Sequence, residues 1–233
     1  MKTRITQIIE RVADVVSFRC RPEQPISFLP GQFAQIVFDP DNLKNKDLNK
    51  YLSFSAAPGQ ADLEFTKKLT TSAFSQKIAA FKPGDPLVVN GPLGSCVFKP
   101  EYQKICFIVG GIGITPVISI LEYIVREKLS TDVVLLYSNW TEKTIAFKPQ
   151  LDDWSKWNSR IKIVHTVVQT PPADKTLLFG LISPEMIRRQ IPDVTDRVAF
   201  VFGPPGMVKA TKEACHAVGC IAEKLKIENF LGY

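Results

Sequence analysis

The chain has 233 residues, 45% of them apolar and 22% charged, with a formal net charge of +6, enough for one large domain or two ordinary ones around real cores. No run of about 18 apolar residues occurs, so no membrane span is expected, and charges interrupt 1-MKTRITQIIERVADVVSF-18, which argues against a secretory leader. The 29 Lys and Arg residues are dispersed without interleaved aromatics, which argues against a nucleic-acid surface; five scattered cysteines without CxxC spacing point to reduced thiols in a cytoplasmic protein; and two histidines, His165 and His216, leave little for a histidine-based hydrolase.

The first hundred residues read as short strands, 33-FAQIVF-38, 51-YLSFSA-56, 62-DLEFTKKL-69 and 86-PLVVNG-91. Pro30-Gly31, Pro58-Gly59 and Pro83-Gly84 mark turns between them, and 71-TSAFSQKIAAF-81 is the one helical stretch. Strands at this spacing predict a small antiparallel β-barrel over residues 1–99. From 100 to 233 the pattern changes to apolar runs alternating with amphipathic helices. Strands 105–109, 133–138, 161–168 and 198–203 are followed by helices 115–128, 148–157, 183–191 and 205–219. That alternation predicts a doubly wound α/β domain with a parallel sheet. Cys215 and Cys220, the nearest cysteine pair, read as isolated helix-end thiols, because two ligands do not close a zinc site.

The stretch 110-GGIGITP-116 joins the first α/β strand to its helix. Gly110, Gly111 and Gly113 permit close backbone approach. Amides from Ile114 onward would meet an anion, with Thr115 as cap and Pro116 in the first turn. A second glycine-rich strand end, 203-GPPGM-207, opens the last helix, and two such ends in one sheet can grip one extended ligand. The strand ending at Tyr137 runs into 138-SNWTEK-143 and lacks the acidic residue that an ordinary dinucleotide fingerprint places on the ribose.

Taken in order, these motifs resemble the ferredoxin–NADP reductase family of flavin and nicotinamide oxidoreductases. The resemblance rests on 50-KYLS-53 in place of RxYS, 55-SAAP-58, 64-EFTKK-68, 72-SAFS-75, 91-GPLG-94, Gly110–Pro116 and Gly203–Met207, and it runs nearly end to end. It implies an FAD-dependent NAD(P)H oxidoreductase, with FMN a lesser option, that moves hydride between nicotinamide and flavin. Neither the ferredoxin cysteine spacing CxxxxCxxC nor a globin segment occurs, so the expected acceptor is a separate protein such as ferredoxin or flavodoxin, and a basic surface would attract an acidic one.

Residue by residue, the resemblance implies that Ser53 lies near the flavin N5. Lys50 replaces the arginine on the flavin pyrophosphate and keeps charge without the fork. Leu52 replaces a stacking tyrosine and should share a face with Lys50, leaving Tyr51 on the other; Tyr51 is assigned to the core, and a one-residue slip would make it the flavin lid. Thr66, Lys67 and Lys68 would edge the flavin ring, and Ser72 and Ser75 would open a helix toward the pyrophosphate, with Ser72 equally readable as a plain N-cap. Phe202 replaces a cysteine near the nicotinamide and either reshapes that pocket or sits in the core. Together with Ser138 and Asn139, Trp140 lies where relatives read the 2′-phosphate. Tryptophan cannot pair a phosphate, which points to NADH, while Ser138 and Lys143 leave NADPH open. Pro204 and Met207 belong to the second grip. At the end of the chain, Phe230 or Tyr233 would cover the flavin, and Glu228 would relay a proton. The substitutions at 50, 52 and 202 support one alternative, a non-catalytic or weakly flavinated electron-transfer subunit of a larger redox complex.

Overall fold

The structure is a computed structural model and describes residues 1–230. It consists of two bodies, Met1–Phe98 with Thr115–Tyr123, and Lys99–Ile114 with the chain from Ile124 onward.

The first body is a six-stranded antiparallel sheet in the order β4-β3-β6-β1-β2-β5. Its strands are β1 (Lys2–Val12), β2 (Val15–Pro22), β3 (Phe33–Val37), β4 (Asn49–Ser53), β5 (Leu63–Lys68) and β6 (Pro86–Leu93). A bridge between Phe54 and Phe65 joins the two outer strands and closes the sheet into a barrel. The β1–β2 hairpin was not among the expected elements. Its alternation is diluted by charges, and two register shifts, between Ile5 and Gln7 and between Glu10 and Val12, break the period; such bulges also bend a strand as a barrel requires. The core contains Phe18, Phe54, Phe65, Ile36 and Val89, and helix α1 (Ala73–Ala79) adds Phe74 and Ile78. Phe28 stacks on Phe54 at 4.0 Å, and each fully buried ring contributes about 1.5–3 kcal/mol. The three Pro-Gly turns form as expected, with Gly31, Gly59 and Gly84 in positive-φ conformations. The helical segment Thr115–Tyr123 belongs to this body through Glu122, whose carboxylate accepts the Ala57 N–H at 2.6 Å and the Gln60 amide at 2.9 Å.

The second body is a six-stranded sheet, parallel throughout, in the order β10-β9-β8-β7-β11-β12. Its strands are β7 (Lys104–Gly110), β8 (Asp132–Asn139), β9 (Ile161–Val167), β10 (Leu178–Phe179), β11 (Val198–Gly203) and β12 (Leu225–Asn229). Helices α3 (Lys148–Trp157), α4 (Pro184–Gln190) and α5 (Pro205–Ala217), and α2 (Thr115–Arg126), whose first nine residues count with the first body, fall where the amphipathic stretches predicted them. Cys106, Ile108, Val134, Leu136, Val201, Ile187, Val208 and Cys215 form one core of sheet and helix residues. From β7 the chain proceeds outward through β8, β9 and β10, then returns to the other side of β7 for β11 and β12. The order therefore reverses between β7 and β11, and an open α/β sheet binds its ligands outside the carboxyl ends of such a pair. Residues Leu225–Asn229, for which no element was expected, are the edge strand β12. Among the described residues no helix is long and apolar enough to cross a membrane.

Candidate functional site

Both glycine-rich strand ends lie at the reversal point, on the adjacent strands β7 and β11. Residues Gly111–Ile114 form a 3-10 turn that runs directly into α2. Thr115 is thus the first residue of the α-helix and not its cap, a correction of one residue, while Pro116 falls in the first turn where a missing N–H costs nothing. The glycines are required by space and by conformation. A Cβ on Gly110 would run into the Met207 thioether, and one on Gly113 would lie 2.6 Å from the Phe202 carbonyl oxygen. Gly111 has φ +53° and faces open space. Met207 also lies over Gly203, so the two turns interlock through one side chain. The Tyr137 hydroxyl donates to the Gly111 carbonyl at 3.0 Å and pins the turn from β8. The sequence reading missed Tyr137, although a lone hydroxyl ending the apolar run 133-VVLLY-137 must find a partner if buried.

At the carboxyl end of β8, Ser138 is half-buried, Asn139 is buried with its Nδ2 unpartnered, and Trp140 is 64% exposed. Beyond β11, Pro204 is exposed. The Phe202 ring is fully buried and packs 5.9 Å from Phe200 and 6.3 Å from Phe230. Of its two expected placements, its burial agrees with the core. The Phe230 N–H donates to the Gly203 carbonyl at 2.9 Å. Glu228 pairs in register with Phe202. Its Oε2 is buried without a hydrogen-bond partner, and burial pushes its carboxyl up to about 7. Tyr233 lies outside the described residues.

In the barrel, β4 pairs with β3 so that Leu52 opposes Ala34 and Tyr51 opposes Gln35. Leu52 is buried in the core cluster, and Tyr51 is 61% exposed, edge-on to Phe33 at 5.7 Å. The expected faces are therefore exchanged. Ala34 and Ile36 fix the inward face of β3, and Leu52 joins them because it is the apolar residue at that register. Ser53 is buried at the end of β4. Beside it runs a closed ring of hydrogen bonds. Arg11 Nε meets Ser17 Oγ at 2.7 Å, Ser17 meets Thr66 at 2.7 Å, Thr66 meets Ser55 at 2.7 Å, Ser55 meets Glu64 at 3.2 Å, and Arg11 returns to Glu64 at 2.8 Å. Arg19 adds a bond to Glu64 at 2.9 Å. Ser53 is not a member of this ring.

Lys67 is buried, and it donates from Nζ to the Lys68 carbonyl. Burial, together with the positive charges of Lys50 and Lys68, lowers Lys67 to about 8. A polyanion beside these lysines would offset that repulsion. Ser72 is the N-cap of α1, accepting the Ser75 N–H at 3.3 Å. Ser75 is buried with its hydroxyl bonded to Thr70 and Ser72, each at 3.1 Å, which corrects the expectation that it opens toward a phosphate.

These features fit a flavin nucleotide on the first body and a nicotinamide nucleotide on the second. The lysine cluster has the charge a phosphate would need, Gly110 and Gly113 leave no room for a Cβ against Met207 and Phe202, and Asn139 and Glu228 hold buried polar atoms without partners. A family model described as an oxidoreductase NAD-binding domain matches residues 107–213. NADH-cytochrome b5 reductase 1 of Pyricularia oryzae is 31% identical over 219 residues, covering 88% of this chain and 70% of that protein. The chain belongs to the ferredoxin–NADP reductase family. It is accordingly a flavin-dependent NAD(P)H oxidoreductase. The reductase superposes on the cytochrome b5 reductase domain of Ulva prolifera nitrate reductase with TM-score 0.84 at 23% identity, covering 98% and 96% of the two chains. It has the same fold as the ferredoxin NADP+ reductase from Neisseria gonorrhoeae with bound FAD and NADP, at TM-score 0.81, 20% identity and 98% coverage of both chains.

Proposed function

We propose that this reductase holds FAD on its barrel, oxidises NADH on its α/β body, and passes the electrons to a separate carrier protein of the cytochrome b5 type. The observation that carries the reading is the interlocked pair of glycine turns at the reversal of strand order. The name of the Pyricularia relative favours NADH and cytochrome b5 over the ferredoxin or flavodoxin expected from charge alone. Five free cysteines fit a reducing compartment such as the cytoplasm.

When bound, FAD supplies the ability to accept a hydride and release single electrons. Lys50 and Lys67 would hold its phosphates as point charges. Ser53, outside the neighbouring hydroxyl ring, would be free to donate a hydrogen bond to the flavin ring, and Tyr51 would offer the aromatic face that Leu52 does not. Gly110, Gly111 and Gly113 would admit the dinucleotide pyrophosphate, and Pro204 and Met207 would complete the grip. Trp140 would offer its ring to the adenine and gives a 2′-phosphate no charge to pair with. Glu228 keeps a proton available near neutral pH. No step requires histidine. Of the three substitutions that support the non-catalytic alternative, Leu52 and Phe202 are core residues and Lys50 is half-buried.

The test is the visible spectrum of the purified protein before and after anaerobic NADH, then NADPH, followed by cytochrome b5, ferredoxin and flavodoxin as acceptors. A flavin band that NADH bleaches and oxidised cytochrome b5 restores is the expected result. A protein that stays colourless after incubation with FAD would overturn the reading.

A further inference from the structure

Helix α5 ends in a stop built from two hydrogen bonds. The Gly219 N–H donates to the His216 carbonyl and the Cys220 N–H to the Cys215 carbonyl, both at 3.0 Å, with Gly219 at φ +95°. In this termination a left-handed glycine folds the chain back, so that side chains five residues apart come into contact. An apolar pair ordinarily fills those positions. Here both are cysteines, and both are buried in the same core cluster.

The two thiols differ in access and acidity. Cys215 is completely buried, while Cys220 retains 7% exposure. The adjacent Cys215 thiol, with the charge of Lys224, outweighs burial and holds the Cys220 thiol below its ordinary value. Cys106, on β7, is buried, and burial pushes it up to about 12, so it does not compete as a nucleophile. No residue assigned to flavin or nicotinamide lies in this turn.

We propose that Cys215 and Cys220 form an oxidisable dithiol site that closes to an intramolecular disulfide when it meets a hydroperoxide. The Cys220 thiolate attacks one peroxide oxygen, the O–O bond breaks, and with hydrogen peroxide hydroxide leaves, making Cys220 a sulfenic acid. The Cys215 sulfur then attacks the Cys220 sulfur. The S–O bond breaks, and the departing hydroxyl takes the Cys215 proton as water. In sum, two thiols lose two hydrogens and one hydrogen peroxide becomes two waters. The product ties the last turn of α5 to the segment that leads into β12.

Both cysteines lie in one stretch bounded by Lys212 and Lys224 with no lysine or arginine between, so trypsin releases them in a single peptide. The native protein is treated with a few equivalents of hydrogen peroxide, alkylated under denaturing conditions, digested without reductant and mapped by mass spectrometry. The expected result is peptide 213–224 lighter by two hydrogens and carrying no alkyl group. Dithiothreitol should restore both alkylation sites, and Cys20 and Cys106 should remain alkylated throughout. Cys220→Ser should abolish the change, and Cys215→Ser should leave Cys220 overoxidised. The wild-type map decides the matter even if either variant folds poorly. Five alkylatable thiols after peroxide, sulfinic acid at Cys220 without the internal bond, or bonds only between molecules would overturn the proposal.

Discussion

Glu64→Gln removes one negative charge from the barrel and little volume. Glu64 is 3% exposed and binds Arg11, 18% exposed, and Arg19, 43% exposed. Removing one partner from a fully buried ion pair costs about 3–5 kcal/mol. Arg19 reaches water and needs little compensation, whereas Arg11 and the hydroxyls of Ser17, Thr66 and Ser55 keep only a neutral amide oxygen in place of the charged acceptor that terminates their ring. We expect a loss of about 2–3 kcal/mol, near the strength of a charge-assisted bond or slightly above it. For a chain of this size that lowers the melting temperature by about 5–10 °C. Arg19→Gln, which leaves the ring closed, should cost less than about 1 kcal/mol. Thermal unfolding of the flavin-free protein by circular dichroism measures the stability, and quenching of FAD fluorescence measures binding. Because the ring flanks Ser53 and Lys67, FAD affinity of Glu64→Gln should fall about tenfold. A variant that melts within a degree of wild type and binds FAD equally well would refute the assignment of structural weight to the ring.

Gly110→Ala should raise the KM for NADH at least tenfold without changing flavin content, since Met207 must leave its place over the turn; stopped-flow reduction of the flavin measures it. Glu228 has a raised folded-state value, about 7 against 4.5, so its contribution is fully present below pH 4.5 and is lost as pH rises through 7. Glu228→Gln should flatten that interval in urea titrations and gain at most about 3 kcal/mol over wild type above pH 7, at 1.36 kcal/mol per unit. Lys67 is lowered to about 8, so wild-type stability should rise with pH from about 8 to 10.5, where the unfolded state binds the extra proton. FAD affinity should weaken across pH 8 as Lys67 becomes neutral, and Lys67→Arg should remove that dependence in equilibrium binding.

The glycine turns were legible because their signal is local: a strand end, a glycine where no Cβ fits, and a helix start. The parallel strands β7, β8 and β11 were legible as unbroken apolar runs, and β9 by its β-branched residues between turn signals. The faces of β4 were not, because Lys50, Tyr51 and Leu52 carry too short a pattern to fix a register that Ala34 and Ile36 decide from another strand. Glu64 could not be singled out for the same reason, since its partners lie 45 and 53 positions away. The contact between Cys215 and Cys220 depends on one left-handed glycine, and helical periodicity would have placed the two on different faces. The edge strand β12 is half-buried along most of its length and shows no alternation to read.

The closed ring on the barrel has a direction. Arginine can only donate and a carboxylate can only accept, so the two ends settle an ambiguity that the hydroxyls alone would leave open. The protons must run from Arg11 to Ser17, Thr66, Ser55 and finally Glu64. Each hydroxyl has one hydrogen, and each hydrogen is already assigned. The O–H dipoles therefore point one way around the arc and reinforce one another. A molecule resting beside β5 can be met there by a lone pair or a backbone group, never by the hydroxyl proton of Thr66 or Ser55.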